Sequence, residues 1–159
     1  MISCQFHYNL GKILFSACEG KDVGNTIFLI ASQINHGKEL IQTDEEELRL
    51  AVAKLNMKAG KKALDGCDHE TAYSFLQVAL SLLPEDHWES DYDLSLRVSF
   101  LLASAASSCY QYDEAQLTLR RIFEKASCLE DKLPSYLLLS RSKCFIAGCP
   151  SVGALVHLF

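Results

Sequence analysis

Apolar residues recur at steps of three and four along most of this chain, and this spacing restricts its fold more than any other feature. Leu48, Val52, Leu55, Ala59 and Ala63 are one example. A period near 3.6 residues places such side chains on one face of an α-helix. Glycine (8) and proline (3) are scarce among the 159 residues, so the closely spaced turns of a β-sandwich are missing. The sequence therefore predicts an all-α protein.

The same period predicts about seven helices, which are separated by short helix-ending segments. Thr43 and Glu46 have the spacing of a capping box, which predicts that a helix begins there. Asp68 is a predicted N-cap, and Pro84 ends the helix that follows Asp68. The predicted spans are approximately 4–19, 22–35, 44–64, 69–83, 86–109, 113–127 and 129–144.

Two consecutive helix pairs resemble each other at an offset of 43 residues. Ala72 and Leu76 of the first pair correspond to Ala115 and Leu119 of the second pair. A period of this size is typical of stacked helix pairs, although two hairpins of an ordinary helical domain are the alternative. Small residues let helix axes approach closely. We therefore expect five small residues to be buried at helix contacts: Gly60, Ala72, Ala79, Ala103 and Ala115.

The small and apolar residues of these pairs resemble the tetratricopeptide repeat. In the first unit, the residues at consensus offsets are Ala59, Gly60, Ala63, Ala72, Leu76, Ala79 and Pro84. In the second unit they are Leu102, Ala103, Ala106, Ala115 and Leu119. Ser127 stands where the second unit would have its closing proline. The resemblance implies a stack of antiparallel helix hairpins that forms a right-handed solenoid.

A second resemblance covers residues from about 6 to 140 and depends on the order of several short segments. These segments are 7–12, 27–30, Gln33, Asn35, Gly37, 55–56, 59–60, 62–63, 72–73, Trp88 and Tyr92. Their order is similar to the helical region that follows the ATPase module in large multidomain signalling proteins. Those proteins contain a serine/threonine kinase-like domain, a P-loop ATPase, helical repeats, a sensor and a hybrid histidine kinase or cyclase. The resemblance implies that this chain is a fragment from the helical middle of such a protein, with a peptide segment or a neighbouring domain as its partner.

The sequence predicts three regions of different character. Residues 1–42 form an N-terminal helical pair that leads into the array, and residues 43–143 form the helical-repeat region. Residues 144–159 are an atypical tail that contains no Asp, Glu, Lys or Arg. Repeat arrays need a terminal helix with a polar outer face. We therefore expect the tail to be poorly integrated and Leu137, Leu138 and Leu139 to be partly uncovered.

No motif for catalysis, phosphate binding or metal binding is complete. Each Gly-Lys pair lacks both the upstream glycine and the following Ser or Thr of a P-loop. Residues 67–70 contain three metal-ligating residue types without a second cluster, and residues 86–89 point apart on a helix. His7, His36 and His157 have no partner visible in the sequence. We therefore predict no catalytic, cofactor-binding or metal-binding residues, no cofactor and no enzymatic activity.

Charge, apolar runs and cysteines predict the cellular compartment of the chain and the classes of partner that it lacks. A net charge of −5, interpreted as unclustered, argues against a nucleic-acid partner. The longest apolar stretch, 94–110, is interrupted by Arg97 and is short for a membrane span. Seven irregularly spaced cysteines without a C-x-x-C pair favour a reducing compartment. We expect a cytoplasmic protein without a membrane partner.

These observations favour a non-catalytic helical-repeat module for protein–protein or interdomain regulation. Exposed apolar or aromatic residues in a groove between the repeats would support that function. The alternative is a free-standing small helical bundle that binds a ligand or acts as an enzyme, and a buried cluster of titratable side chains around a pocket would favour it. A third hypothesis is a structural spacer, for which a fully charged groove is expected.

Overall fold

The computed structural model describes residues 3–18, 24–41 and 45–145, and for 141–145 it describes the backbone. Within these ranges the chain forms eight α-helices, a short 3-10 turn at Lys38–Leu40 and no strand, so the all-α prediction is confirmed. The helices are α1 (Cys4–Ala17), α2 (Thr26–Asn35), α3 (Glu46–Asp65), α4 (His69–Leu82), α5 (His87–Ser90), α6 (Tyr92–Ser108), α7 (Tyr112–Lys125) and α8 (Leu129–Phe145). None of the described helices is both long enough and apolar enough to cross a bilayer.

Local capping explains where several helices begin. The Asp68 carboxylate accepts a hydrogen bond from the Thr71 N–H at 3.2 Å, which confirms the predicted N-cap of α4. Helix α3 begins at Glu46 with Glu45 as its N-cap residue. Thr43, the other half of the predicted capping box, lies outside the described residues.

The continuous helix predicted over 86–109 is wrong, because the chain breaks at Asp91 into α5 and α6. Asp91 has φ of −144° and ψ of 75°, which is not helical. Its carboxylate accepts a hydrogen bond from the Leu94 N–H at 3.3 Å and so caps α6. A short acidic side chain that bonds the backbone favours a helix start over a helix interior. This break accounts for eight helices where the sequence predicted about seven.

Consecutive helices pack in pairs across short connections. Helix α1 contacts α2, α3 contacts α4, and α6 contacts α7. The pairs also touch one another, since α2 contacts α3, α4 contacts α6, and α8 contacts both α6 and α7. One core cluster contains buried side chains of α1, α2, α3, α4 and α6. A second cluster lies beside α7 and consists of Trp88, Ala103, Leu119, Ile122 and Ala126.

The two central hairpins, α3–α4 and α6–α7, turn in the same way. In the first hairpin Cys67 has φ of 60°, and the N–H of the next residue donates to the carbonyl oxygen of Ala63 at 2.9 Å. In the second hairpin Tyr110 has φ of 62°, and the N–H of the residue after it donates to the carbonyl oxygen of Ala106, also at 2.9 Å. Both turns therefore end a helix with a left-handed residue. The offset between them is 110 − 67 = 43 residues, the offset found in the sequence.

Small residues allow the paired helices to approach closely. A Cβ atom on Gly60 would lie 2.5 Å from Cγ of Leu76, and one on Gly11 would lie 2.6 Å from Cγ1 of Ile34. Neither position therefore accommodates a larger side chain without movement of its neighbour. The expected burial is confirmed for all five small residues, which are Gly60, Ala72, Ala79, Ala103 and Ala115.

Helix α8 buries only part of its apolar surface. Leu129, Leu133 and Leu137 are 62%, 50% and 68% exposed. Leu138 and Leu139 are partly buried against the second core cluster. The expectation that 137–139 is partly uncovered is therefore confirmed. The remainder of the predicted tail, residues 146–159, lies outside the described residues.

Candidate functional site

An open groove of about 410 Å³ follows one face of α4, and we call it the polar groove. Lys38 reaches it from the 3-10 turn and Glu114 from the first turn of α7, so a cation and an anion share its walls. Except for Leu80, the α4 positions follow steps of three and four residues, which explains why they line one face. The full lining consists of Lys38, Ser74, Gln77, Val78, Leu80, Ser81, Leu102 and Glu114.

Tyr73, Gln77 and Glu114 form a hydrogen-bonded cluster at this groove. The Tyr73 hydroxyl donates to the Glu114 carboxylate, and the Gln77 amide donates to the Tyr73 oxygen at 2.8 Å. Burial and the hydrogen bond with Glu114 raise the pKa of Tyr73 to about 12. A general acid or base works best with a pKa near the operating pH. The cluster therefore suits the attachment of α4 to α7 better than proton transfer.

His87 belongs to a second polar cluster, where α5 meets α6. Its Nδ1 atom lies 2.8 Å from Oγ of Ser95, and that buried hydroxyl donates to the carbonyl oxygen of His87 at 2.6 Å. Burial lowers the pKa of His87, so the ring is neutral at pH 7. Glu89 forms an ion pair with Lys125 at 2.8 Å, and Trp88 is buried in the second core cluster. His87, Trp88 and Glu89 thus make their main contacts with different groups, and the rings of His87 and Trp88 lie with their centroids 5.7 Å apart.

Among the described residues, neither the other histidines nor residues 67–70 belong to a group of three metal-ligating side chains. His7 Nδ1 lies 2.7 Å from the Gln33 side-chain oxygen, and its ring lies beside that of His36 with centroids 5.0 Å apart. Within residues 67–70, the Nδ1 atom of His69 is buried without a hydrogen-bond partner among the described residues. No three metal-ligating side chains converge in the described ranges. His157 lies outside them.

Helix α3 concentrates positive charge, which the sequence interpretation of unclustered charge missed. Residues 49–62 contain five of the 15 Lys and Arg residues and no Asp or Glu. The four lysines follow helical spacing and share one face. All of them are exposed. We call this set the basic face: Lys54, Lys58, Lys61 and Lys62.

Two lysines of the basic face form ion pairs with carboxylates of this chain. Lys54 Nζ lies 3.6 Å from Asp91, and Lys61 Nζ lies 2.7 Å from Asp65. Lys58 and Lys62 have no acidic partner in the part of the chain that the structure describes. Helix α6, which contacts α3, presents the exposed Arg97 at the position 43 residues after Lys54. Exposed cations are therefore present on the first helix of each central hairpin.

No family model, no curated protein and no solved structure matches this chain. The resemblance to tetratricopeptide repeats therefore depends on the residues of the two hairpins alone. The repeated turn, the polar groove and the basic face are the features of the chain that bear on its function.

Proposed function

We propose that this chain is a non-catalytic helical-repeat module that binds a protein segment or a neighbouring domain within a larger cytoplasmic signalling protein of the ATPase or kinase type. The observation that supports this most directly is the turn that recurs after 43 residues at Cys67 and Tyr110. When successive helix pairs have the same turn and stack on one another, their corresponding helices lie side by side. An extended surface of this kind suits the binding of another polypeptide.

The order of helix contacts supports the finer description of a tetratricopeptide-like stack. Helix α4, the second of one hairpin, contacts α6, the first of the next, and α3 also contacts α6. The first helix of each hairpin buries a small residue against the second helix or its core cluster: Gly60 of α3 lies close to Leu76, and Ala103 of α6 belongs to the second core cluster. These are the neighbours expected when hairpins stack in a regular order.

The polar groove argues against the alternative of a ligand-binding or enzymatic bundle. That alternative expects titratable groups enclosed around a pocket. The groove is open, and its carboxylate at Glu114 is held by Tyr73, whose pKa is raised to about 12 by burial and by this hydrogen bond. A hydrogen-bonded surface cluster of this kind fits an interaction module better than a reaction centre.

Site-specific photo-crosslinking in the natural cell tests the proposal. A photoreactive phenylalanine replaces Arg97 on α6 or, as a control, the exposed Arg120 on α7. We expect cross-links from position 97 to map by mass spectrometry to one defined protein segment, and those from position 120 to be absent or different. Absence of any cross-link at position 97 in a folded, expressed variant would contradict the proposed function.

A further inference from the structure

We infer that the basic face of α3 binds an extended acidic segment of protein. This inference rests on the proposed function, because it names the chemistry of the segment that the module would hold. The juxtaposition that supports it is four exposed lysines on one helix face beside α6, in a chain whose net charge is −5.

The clustering of positive charge on one face of α3 destabilises the helix when no partner is bound. Lys54, Lys58 and Lys62 follow one another at four-residue steps, and like charges at that spacing repel. Of the four lysines of the basic face, only Lys54 and Lys61 have a carboxylate partner among the described residues. Carboxylates of a bound segment would relieve the repulsion at Lys58 and Lys62. The exposed positions of both lysines leave their amines accessible to such a partner.

The spacing of the lysines matches that of an extended chain. Four residues of α-helix rise about 6 Å, so Lys54, Lys58 and Lys62 span about 12 Å. Alternate residues of an extended chain point to the same side and lie about 6.6 Å apart. Carboxylates at every second position of such a segment would therefore come opposite these three lysines in turn.

Acidic residues around the basic face favour a short segment over a long polyanion. Glu46 and Glu47 precede it on α3, and Asp65 follows it. Asp93 is exposed on the first turn of the neighbouring α6. A nucleic acid has regularly spaced phosphates over a much greater length and would meet these carboxylates. A segment of about five residues with alternating carboxylates avoids them.

Fluorescence anisotropy with the whole chain and a labelled synthetic peptide tests the inference. The probe is a pentapeptide with glutamate at positions 1, 3 and 5, and its matched control has glutamine at those positions. The variant Lys58→Glu/Lys62→Glu is compared with Arg120→Glu/Arg121→Glu, which changes net charge equally at exposed residues of α7. We expect the first variant to weaken binding about tenfold or more and the second to change it less than about threefold. Lys58→Gln/Lys62→Gln should give an intermediate loss, and melting by circular dichroism checks that every variant is folded.

Three results would overturn the inference: no saturable binding of the glutamate peptide, equal weakening by the two double variants, or tighter binding of an oligothymidylate than of the peptide. Equal weakening would mean that net charge alone attracts the peptide, and preference for the oligonucleotide would mean a polyanion site. The photo-crosslinking experiment separates this inference from the proposed function. If position 97 still cross-links to one protein segment, the module function stands and the acidic character of its partner is refuted.

Discussion

At the scale of single residues, Gly60 sets the distance between α3 and α4. A methyl group at this position would lie 2.5 Å from Cγ of the fully buried Leu76. Alanine is normally favoured over glycine inside a helix by about 1 kcal/mol. Overpacking a core costs about 1–3 kcal/mol. We therefore expect Gly60→Ala to lower the free energy of unfolding in urea by about 1 kcal/mol, against the usual propensity.

Gly66 offers a matched control for this substitution. It has φ of −89° at the end of α3, and the nearest atoms to an added Cβ are carbonyl oxygens at 3.5 Å or more. Gly66→Ala should therefore leave stability unchanged or slightly raised. Equal effects of the two substitutions would show that Leu76 moves aside and that the close approach at Gly60 is not required.

His87 should make stability depend on pH. Burial holds its pKa below the ordinary value of 6.5, so the unfolded chain binds a proton in a range where the folded chain does not. The contribution of His87 is therefore fully present above pH 6.5, is lost as pH falls below that value, and levels off below the folded pKa. Urea unfolding at about pH 7.5 and 5.5 measures this loss. His87→Gln should reduce the difference between the two pH values, and an unchanged difference would contradict the assignment.

At the scale of elements, the hydroxyl of Tyr92 joins α6 to the connection that leads into α8. It accepts from the Ser127 N–H at 2.9 Å and donates to the Asp131 carboxylate at 2.6 Å. Tyr92→Phe removes both hydrogen bonds, so we expect a loss of about 1–2 kcal/mol in the free energy of unfolding. Trp88, the only tryptophan, has its ring centroid 6.0 Å from that of Tyr92 and reports the transition by fluorescence.

Tyr110→Phe is the control for Tyr92→Phe, because Tyr110 is 76% exposed. Tyr110→Phe should change the free energy of unfolding by less than about 0.5 kcal/mol. If the two variants unfold at the same urea concentration, the Tyr92 hydroxyl does not stabilise the attachment of α8.

Features that depend on neighbouring residues could be predicted from the sequence, whereas contacts between distant helices could not. The cap at Asp68 is local, and its partner Thr71 is three residues away. The break at Asp91 is also signalled locally, but the apolar period on both sides obscures it. Tyr73 and Glu114 are 41 residues apart, and periodicity shows which face of a helix is buried without showing which helix covers it. The basic face is predictable from the sequence, because residues 49–62 contain no acidic residue and helical spacing places the four lysines on one side.

At the scale of the whole molecule, a pair of asparagines connects α2 of the N-terminal hairpin to α3 of the first central hairpin. The Asn35 amide donates to the Asn56 oxygen at 2.7 Å, and the Asn56 amide donates back at 3.0 Å. Asn56 is fully buried, so removing its partner leaves a polar group unsatisfied. Asn35→Ala or Asn56→Ala alone should each cost about 1–3 kcal/mol. The double variant should cost less than the sum, by about 0.5–3 kcal/mol in a double-mutant cycle, and strict additivity would refute the coupling of the hairpins through this pair.

The recurring turn has a consequence for how this chain can change in length. Helices α4 and α7 both end on buried residues in extended conformation, Leu83 and Ala126, which lie 43 residues apart. Residues 84–126 therefore begin and end at equivalent backbone positions. A tandem duplication of the DNA that encodes them would add a second set of α5, α6 and α7 and keep the backbone conformation at the new junction. Gene-level copying would thus lengthen this chain by one set of α5, α6 and α7 at a time, and each added set would bring its own turn and its own contact surface.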